Sequence, residues 1–66
     1  MPLVNSSAIA RIEHDPDTLE LHVTFHGTGT YTYLGVPRSV YAAFLRAPSK
    51  GRFFNARIRD RYVSER

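Results

Sequence analysis

An α+β fold is what this sequence predicts: a three-stranded antiparallel meander, one main helix, and a short C-terminal segment that is helical or irregular. Three observations carry that expectation. Leu19, Leu21, Val23 and Phe25 alternate with Glu20, His22, Thr24 and His26, the period of a half-buried strand with one dry face and one wet face. After Pro37 the spacing of apolar residues lengthens to that of a helix. The chain's 66 residues contain no cysteine, so neither disulfides nor a thiolate metal site can staple it, and one small packed core must hold the fold. Residues 1–66 are therefore expected to form a single domain.

The elements follow in chain order. Ser7 to Glu13 reads as a first strand on the strength of β-branched Ile9 and Ile12, and His14-Asp15-Pro16-Asp17 supplies turn chemistry. The alternating segment ending at Phe25 is the second strand. His26-Gly27-Thr28-Gly29 is a glycine-bearing hairpin connection, and Thr30-Tyr31-Thr32-Tyr33-Leu34, dense in residues that favour pleated surfaces, is the third. Pro37 suits a first helical position because its φ is fixed and its missing N–H is not needed there. Val40, Tyr41, Phe44 and Leu45 then share one stripe of a helix reaching about to Ala47, some 16 Å long, while Ser39, Ala42 and Arg46 face away. Pro48 disfavours helical geometry at Ala47, and Ser49 caps a short second helix through Phe53 and Phe54, in which Gly51 is a weak point. Beyond Asn55 two periods compete. Phe54, Ile58 and Tyr62 recur every four residues as on a helix, whereas Arg57, Arg59 and Arg61 alternate as on a strand, so this segment is left partly irregular.

The loop of the second hairpin decides what Tyr31 and Tyr33 do. With an odd number of loop residues, such as Gly27-Thr28-Gly29, Phe25 lies opposite Tyr31 and Val23 opposite Tyr33, and both rings join the core beneath the helix. With a two-residue loop, Thr28-Gly29, both move to the face of His22 and His26, where they form a stacking platform for unpaired bases. The core alternative is expected, because so small a core needs large residues.

Composition excludes several function classes. At 42% hydrophobic and 23% charged residues the chain is globular, and no apolar run approaches the roughly 18 to 20 residues of a membrane span. MPLVNSSAIARIEHD lacks a cationic stretch followed by an apolar one, so no secretory signal is expected and the setting is cytoplasmic. His22 and His26, four apart on a strand, lie about 13 Å from each other, too far to share a metal. His14 with Asp15 and Asp17 reads as a turn, not a cation site. Ser6, Ser7, Ser39, Ser49 and Ser64 have no base at a motif spacing, and Gly27, Gly29, Gly35 and Gly51 build no phosphate loop. No enzyme, metal or cofactor is expected.

Charge is the positive signal. The net charge is +3, but residues 1–45 hold two arginines against four carboxylates, net −2, while residues 46–66 hold six arginines and one lysine against two, net +5. Eight of the nine basic residues are arginine, whose planar fork grips phosphate bidentately and stacks on bases, which favours a polyanion such as RNA as partner. Anchored by Phe54, Ile58 and Tyr62, the C-terminal segment would present Lys50, Arg52, Arg57, Arg59 and Arg61 on one surface. Five phosphate contacts would give a salt slope of about −3.5 on single strands, a loss of roughly a hundredfold between about 50 and 200 mM salt. The alternative for the cluster is local pairing with Asp60 and Glu65 and plain hydration.

The order of residues resembles the KTSC domain family, a module of this length named for its place at the C-terminus of some lysyl-tRNA synthetases. The resemblance spans Ser6-Ser7 and Ile9; Leu21, Val23 and Phe25; Gly29 with the central Tyr31-x-Tyr33; Val36-Pro37 and Tyr41; Ala47, Ser49 and Gly51; Phe54-Asn55, Ile58 and Tyr62. His14 departs from the tyrosine expected there. The family implies a bacterial protein of uncharacterised function, with RNA binding suggested by the synthetase association. The leading expectation is thus a non-catalytic RNA-binding module. The second is a protein-interaction or self-associating module using an exposed sheet edge or the uncovered sheet face.

Overall fold

The computed structural model describes residues 7–65. Ser6, named above among the serines and in the family resemblance, lies outside them. The order is β1 (Ile9–Asp15), β2 (Glu20–Phe25), β3 (Gly29–Tyr33), α1 (Arg38–Arg46), α2 (Lys50–Phe53) running directly into a π-helical turn (Phe54–Ile58), and β4 (Ser64–Glu65). The sheet is antiparallel with strands in the order β1-β2-β3-β4, so it has four strands where the sequence predicts three. The extra strand pairs Ser64 with Tyr33 and Glu65 with Thr32. Two exposed residues carry no period, and the strand exists because the chain leaving the helix is brought back beside β3, where Leu34 N–H donates to the Val63 carbonyl at 2.9 Å.

Ile9 and Ile12 are three apart, which on a regular strand would send them to opposite faces. Both are fully buried, because the pairing slips between Ile9 and Arg11: Ile9 sits opposite Phe25, Arg11 opposite Thr24, and Ala10 is the extra residue of a β-bulge. The bulge returns Ile9 to the face that Ile12 and His14 share with Val23 and Leu21.

The first turn is held by Asp15, whose carboxylate accepts the backbone N–H of Asp17 at 2.9 Å and of Thr18 at 3.4 Å. Leu19, expected as the first residue of the alternating strand, instead adopts a left-handed φ of 60° and is 39% exposed. It closes the turn with its N–H on the Asp15 carbonyl, and its own carbonyl accepts the Val36 N–H, a tie from the turn to the loop before α1. The Asp17 N–H, then that of Thr18, holds the exposed Asp15 carboxyl below its ordinary pKa, with a smaller pull from the neighbouring His14 charge. A group whose pKa is depressed by folding adds stability above the ordinary carboxylate range and loses it as pH falls through the depressed value. Asp15→Asn is therefore expected to flatten the acid limb: from about pH 5 downward the urea midpoint of the native chain should fall more than that of the variant. Parallel acid limbs would contradict this role for the carboxylate.

In the second hairpin Phe25 pairs with Gly29, Val23 with Tyr31 and Leu21 with Tyr33. The loop is His26-Gly27-Thr28, odd as expected but displaced by one residue, so each tyrosine lies opposite a residue two positions from the expected one. Parity survives the displacement, and the rings join the apolar face: Tyr33 is buried and Tyr31 half-buried.

Pro37 is the N-cap of α1 and not its first helical residue; its carbonyl accepts from Val40 and Tyr41. Phe44 is the helix's fully buried side chain, with Val40, Tyr41 and Leu45 packed around it on the expected stripe. Ser49 caps α2, its hydroxyl accepting the Arg52 N–H at 3.3 Å. The segment left partly irregular is helical: Arg59 N–H reaches back five residues to the Phe54 carbonyl at 2.9 Å, the bond of a π-turn. Phe54 and Ile58 face inward from that turn and complete the core with Ile9, Ile12, Leu21 and Val23.

Candidate functional site

The five cationic residues predicted to share one surface take three different positions. Lys50 is half-buried, and its ammonium donates to the Ala47 carbonyl at the C-terminal end of α1. It satisfies an orphan helix carbonyl and complements the dipole there, which is structural work. Arg52, Arg57 and Arg61 are all exposed and line two adjoining grooves. The first, about 340 Å³, runs between the Ala47-Pro48-Ser49 loop and the side chains of Arg52, Phe53, Ala56 and Arg57. The second, about 280 Å³, lies between Ser39, Val40 and Ala43 of α1 and Phe53, Arg57, Arg61 and Tyr62. Phe53 and Arg57 belong to both. Arg59 points to the opposite side of the helical segment, into a hollow against the sheet with Phe25, Tyr31 and Phe54.

This division follows from helical geometry. Residues two positions apart on a helix point about 200° away from each other, so Arg57 and Arg59 cannot share a face once the segment is helical. Arg52 and Arg57 would stand about 140° apart on a regular α-helix. The π-turn between them inserts one residue into the ladder, and five-residue spacing then brings side chains into line. The five-residue spacing of Arg52 and Arg57, with the π-turn beginning between them, places both on one groove and has no signature in the alternation of arginines.

Phe53, shared by the two grooves, is backed by the core. Phe53 stacks on buried Phe44 with ring centroids 5.2 Å apart and planes 15° from parallel. Among the described residues no carboxylate forms an ion pair with Arg52, Arg57 or Arg61; the ion pairs join Arg11 to Glu13 and His22 to Glu20, on the far side of the sheet. Asp60 and Glu65 do not neutralise the cluster.

The uncovered sheet face carries Arg11, Glu13, Glu20, His22, Thr24, Thr30, Thr32 and Glu65 and is net acidic. His22 Nδ1 lies 2.8 Å from the Thr32 hydroxyl, and the Thr24 and Thr30 hydroxyls are 2.8 Å apart. The molecule is therefore polarised across its thickness, with acidic groups on the open sheet and the free arginines on the helical side.

His14 is held on the core side. Its Nε2 lies 2.7 Å from the Val36 carbonyl, which only accepts, so that nitrogen carries a proton, and its ring stacks on Tyr41 at 5.1 Å. Burial first, then the charge of Glu13, pushes the Tyr41 hydroxyl above its ordinary pKa, so it stays protonated near neutral pH. No group of three or more His, Asp or Glu side chains suited to a metal ion occurs among the described residues.

Comparison with known proteins agrees with this architecture. The profile of the KTSC domain matches residues 5–62. The chain belongs to the KTSC domain family. The crystal structure of a KTSC domain protein from Yersinia pestis superposes with a TM-score of 0.96 at 42% identity, covering 98% of this chain and 92% of that one. A protein from Tsukamurella paurometabola is 40% identical over 62 residues, 94% of this chain and 92% of its own length. An uncharacterized protein from Stutzerimonas stutzeri is 38% identical over 52 residues, 79% of this chain and 73% of its own. The KTSC domain is thus an α+β unit with a four-stranded antiparallel sheet and two helices on one side. No helix among its described residues is long and apolar enough to cross a membrane.

Proposed function

We propose that this KTSC domain is a non-catalytic, cytoplasmic module that binds single-stranded RNA along the two grooves, with Arg52, Arg57 and Arg61 on successive phosphates. The observation that carries this reading is the set of three exposed guanidinium groups, with no carboxylate ion pair among the described residues, around the Phe53 side chain that both grooves share. Arginine's fork suits phosphate oxygens, and an aromatic side chain gives sequence-tolerant contact to bases. Phosphate contacts fix position and carry little sequence information, so modest specificity is expected. The resemblance to a module carried by some lysyl-tRNA synthetases points the same way.

Three phosphate contacts, not five, set the expected salt dependence. The slope on single strands is about −2, so affinity should fall roughly 20-fold between about 50 and 200 mM salt. Fluorescence anisotropy with labelled single-stranded RNA at several salt concentrations measures it. Absence of binding at the lowest salt would remove the RNA reading and leave a protein partner, at a sheet edge or on the uncovered sheet face, as the better one.

A further inference from the structure

The hollow that takes Arg59 has a different chemistry from the grooves on the other side of the helical segment. It measures about 300 Å³, at the small end of the range of small-molecule sites, and is lined by Phe25, Thr28, Tyr31, Tyr33, Phe54 and Arg59. Four of these six are aromatic, one is a cation, and none is a carboxylate. The rings meet edge to face: Phe25 with Tyr31 at 5.6 Å and 85°, Phe25 with Phe54 at 5.2 Å and 77°, Tyr33 with Phe54 at 5.5 Å and 75°. Aromatic rings associate edge to face or offset-stacked, so a cluster of this kind suits a further planar ring at its open side.

The local sequence explains why the hollow is open. Tyr31 and Tyr33 are on the core face of β3, and Gly29, two residues before Tyr31, occupies the same face without a side chain. Opposite Gly29 stands Phe25, so at the hairpin end of the sheet Phe25 and Tyr31 are only half-buried, while Tyr33, one step further in, is 5% exposed. Arg59 is exposed at the rim, with no carboxylate ion pair among the described residues.

We propose that this hollow binds a planar aromatic ring bearing a phosphate, of which a nucleoside monophosphate is the simplest form, with the ring against Phe25 and Tyr31 and the phosphate on Arg59. The rings select a flat, polarizable partner over an aliphatic one. The guanidinium selects an anion, and its fork matches phosphate. The proposal is independent of the RNA reading, since it uses neither groove and none of Arg52, Arg57 and Arg61.

Adenosine monophosphate, adenosine and inorganic phosphate, titrated separately into isotope-labelled protein at low salt, test it through the aromatic NMR signals of Phe25, Tyr31 and Phe54. The monophosphate should move these signals saturably; adenosine should move the same signals with about tenfold weaker affinity, the difference being the contact with Arg59. Inorganic phosphate should leave them in place. Arg59→Gln, a change at an exposed side chain outside the core, should weaken the monophosphate to the level of adenosine and leave adenosine unchanged. Arg57→Ala should alter neither, which separates this site from the RNA grooves. Ring signals that stay still with the monophosphate, that respond to inorganic phosphate alone, or that respond equally in Arg59→Gln would overturn the proposal.

Discussion

Phe44→Ala is expected to remove a large part of the domain's stability, or all of it, at room temperature. Phe44 is 0% exposed and is the residue by which α1 enters the core, and its ring carries Phe53 stacked 5.2 Å away. Truncating a buried phenylalanine costs about 3–5 kcal/mol, the lost transfer energy together with the cavity left behind. A domain of this size has a total stability of roughly 3–10 kcal/mol, so the loss consumes a large part or all of it. Leu45→Ala, on the same stripe but half-buried, should cost clearly less and serves as the comparison. Urea unfolding followed by circular dichroism measures both. A Phe44→Ala protein with a cooperative transition near the native midpoint would mean that α1 is not anchored through this ring.

The elements legible in the sequence are those with one dry face. β2 and the stripe of α1 announce themselves because burial on one side forces a period, and Ser49 is legible because a hydroxyl ahead of a helix has a local reason to be there. What was not legible are departures by a single residue. The bulge at Ala10 reconciles Ile9 with Ile12, and no local composition marks it. The left-handed backbone at Leu19 takes a residue out of a pattern it fits perfectly well on paper. The hairpin loop is displaced by one residue, a choice made by cross-strand packing of Leu21 on Tyr33 and Val23 on Tyr31. β4 is too short to show a period at all and is specified by where the preceding helix ends.

The same reason limits how far the site could be read. The excess of arginine after residue 45 is visible in composition, but its partition among faces depends on the local helical period. Alternating Arg57, Arg59 and Arg61 suggest a single strip, and a helical backbone splits them. The π-turn then collects Arg52 with Arg57, while Lys50 is taken up by the Ala47 carbonyl. Five candidate cations thus resolve into three that face the grooves, one on a separate aromatic hollow and one that finishes a helix.

That partition makes the second large effect a selective one. Combined replacement of Arg52, Arg57 and Arg61 by alanine should weaken single-stranded RNA binding at low salt by roughly a hundredfold, from about 1 kcal/mol for each exposed phosphate contact. It should also flatten the salt slope from about −2 towards zero. Charge alone predicts a different pattern, because any three arginines removed from a small basic domain would weaken a diffuse attraction alike. Arg38→Ala separates the two: Arg38 is exposed at the start of α1 and lines neither groove, so its loss should change the slope far less than Arg57→Ala, which removes the guanidinium standing between the two grooves. None of the four side chains is part of the core, so unfolding midpoints should stay near the native value and the loss can be assigned to binding. Equal losses from Arg38→Ala and Arg57→Ala would show that the attraction is nonspecific and that the grooves beside Phe53 are not where RNA lies.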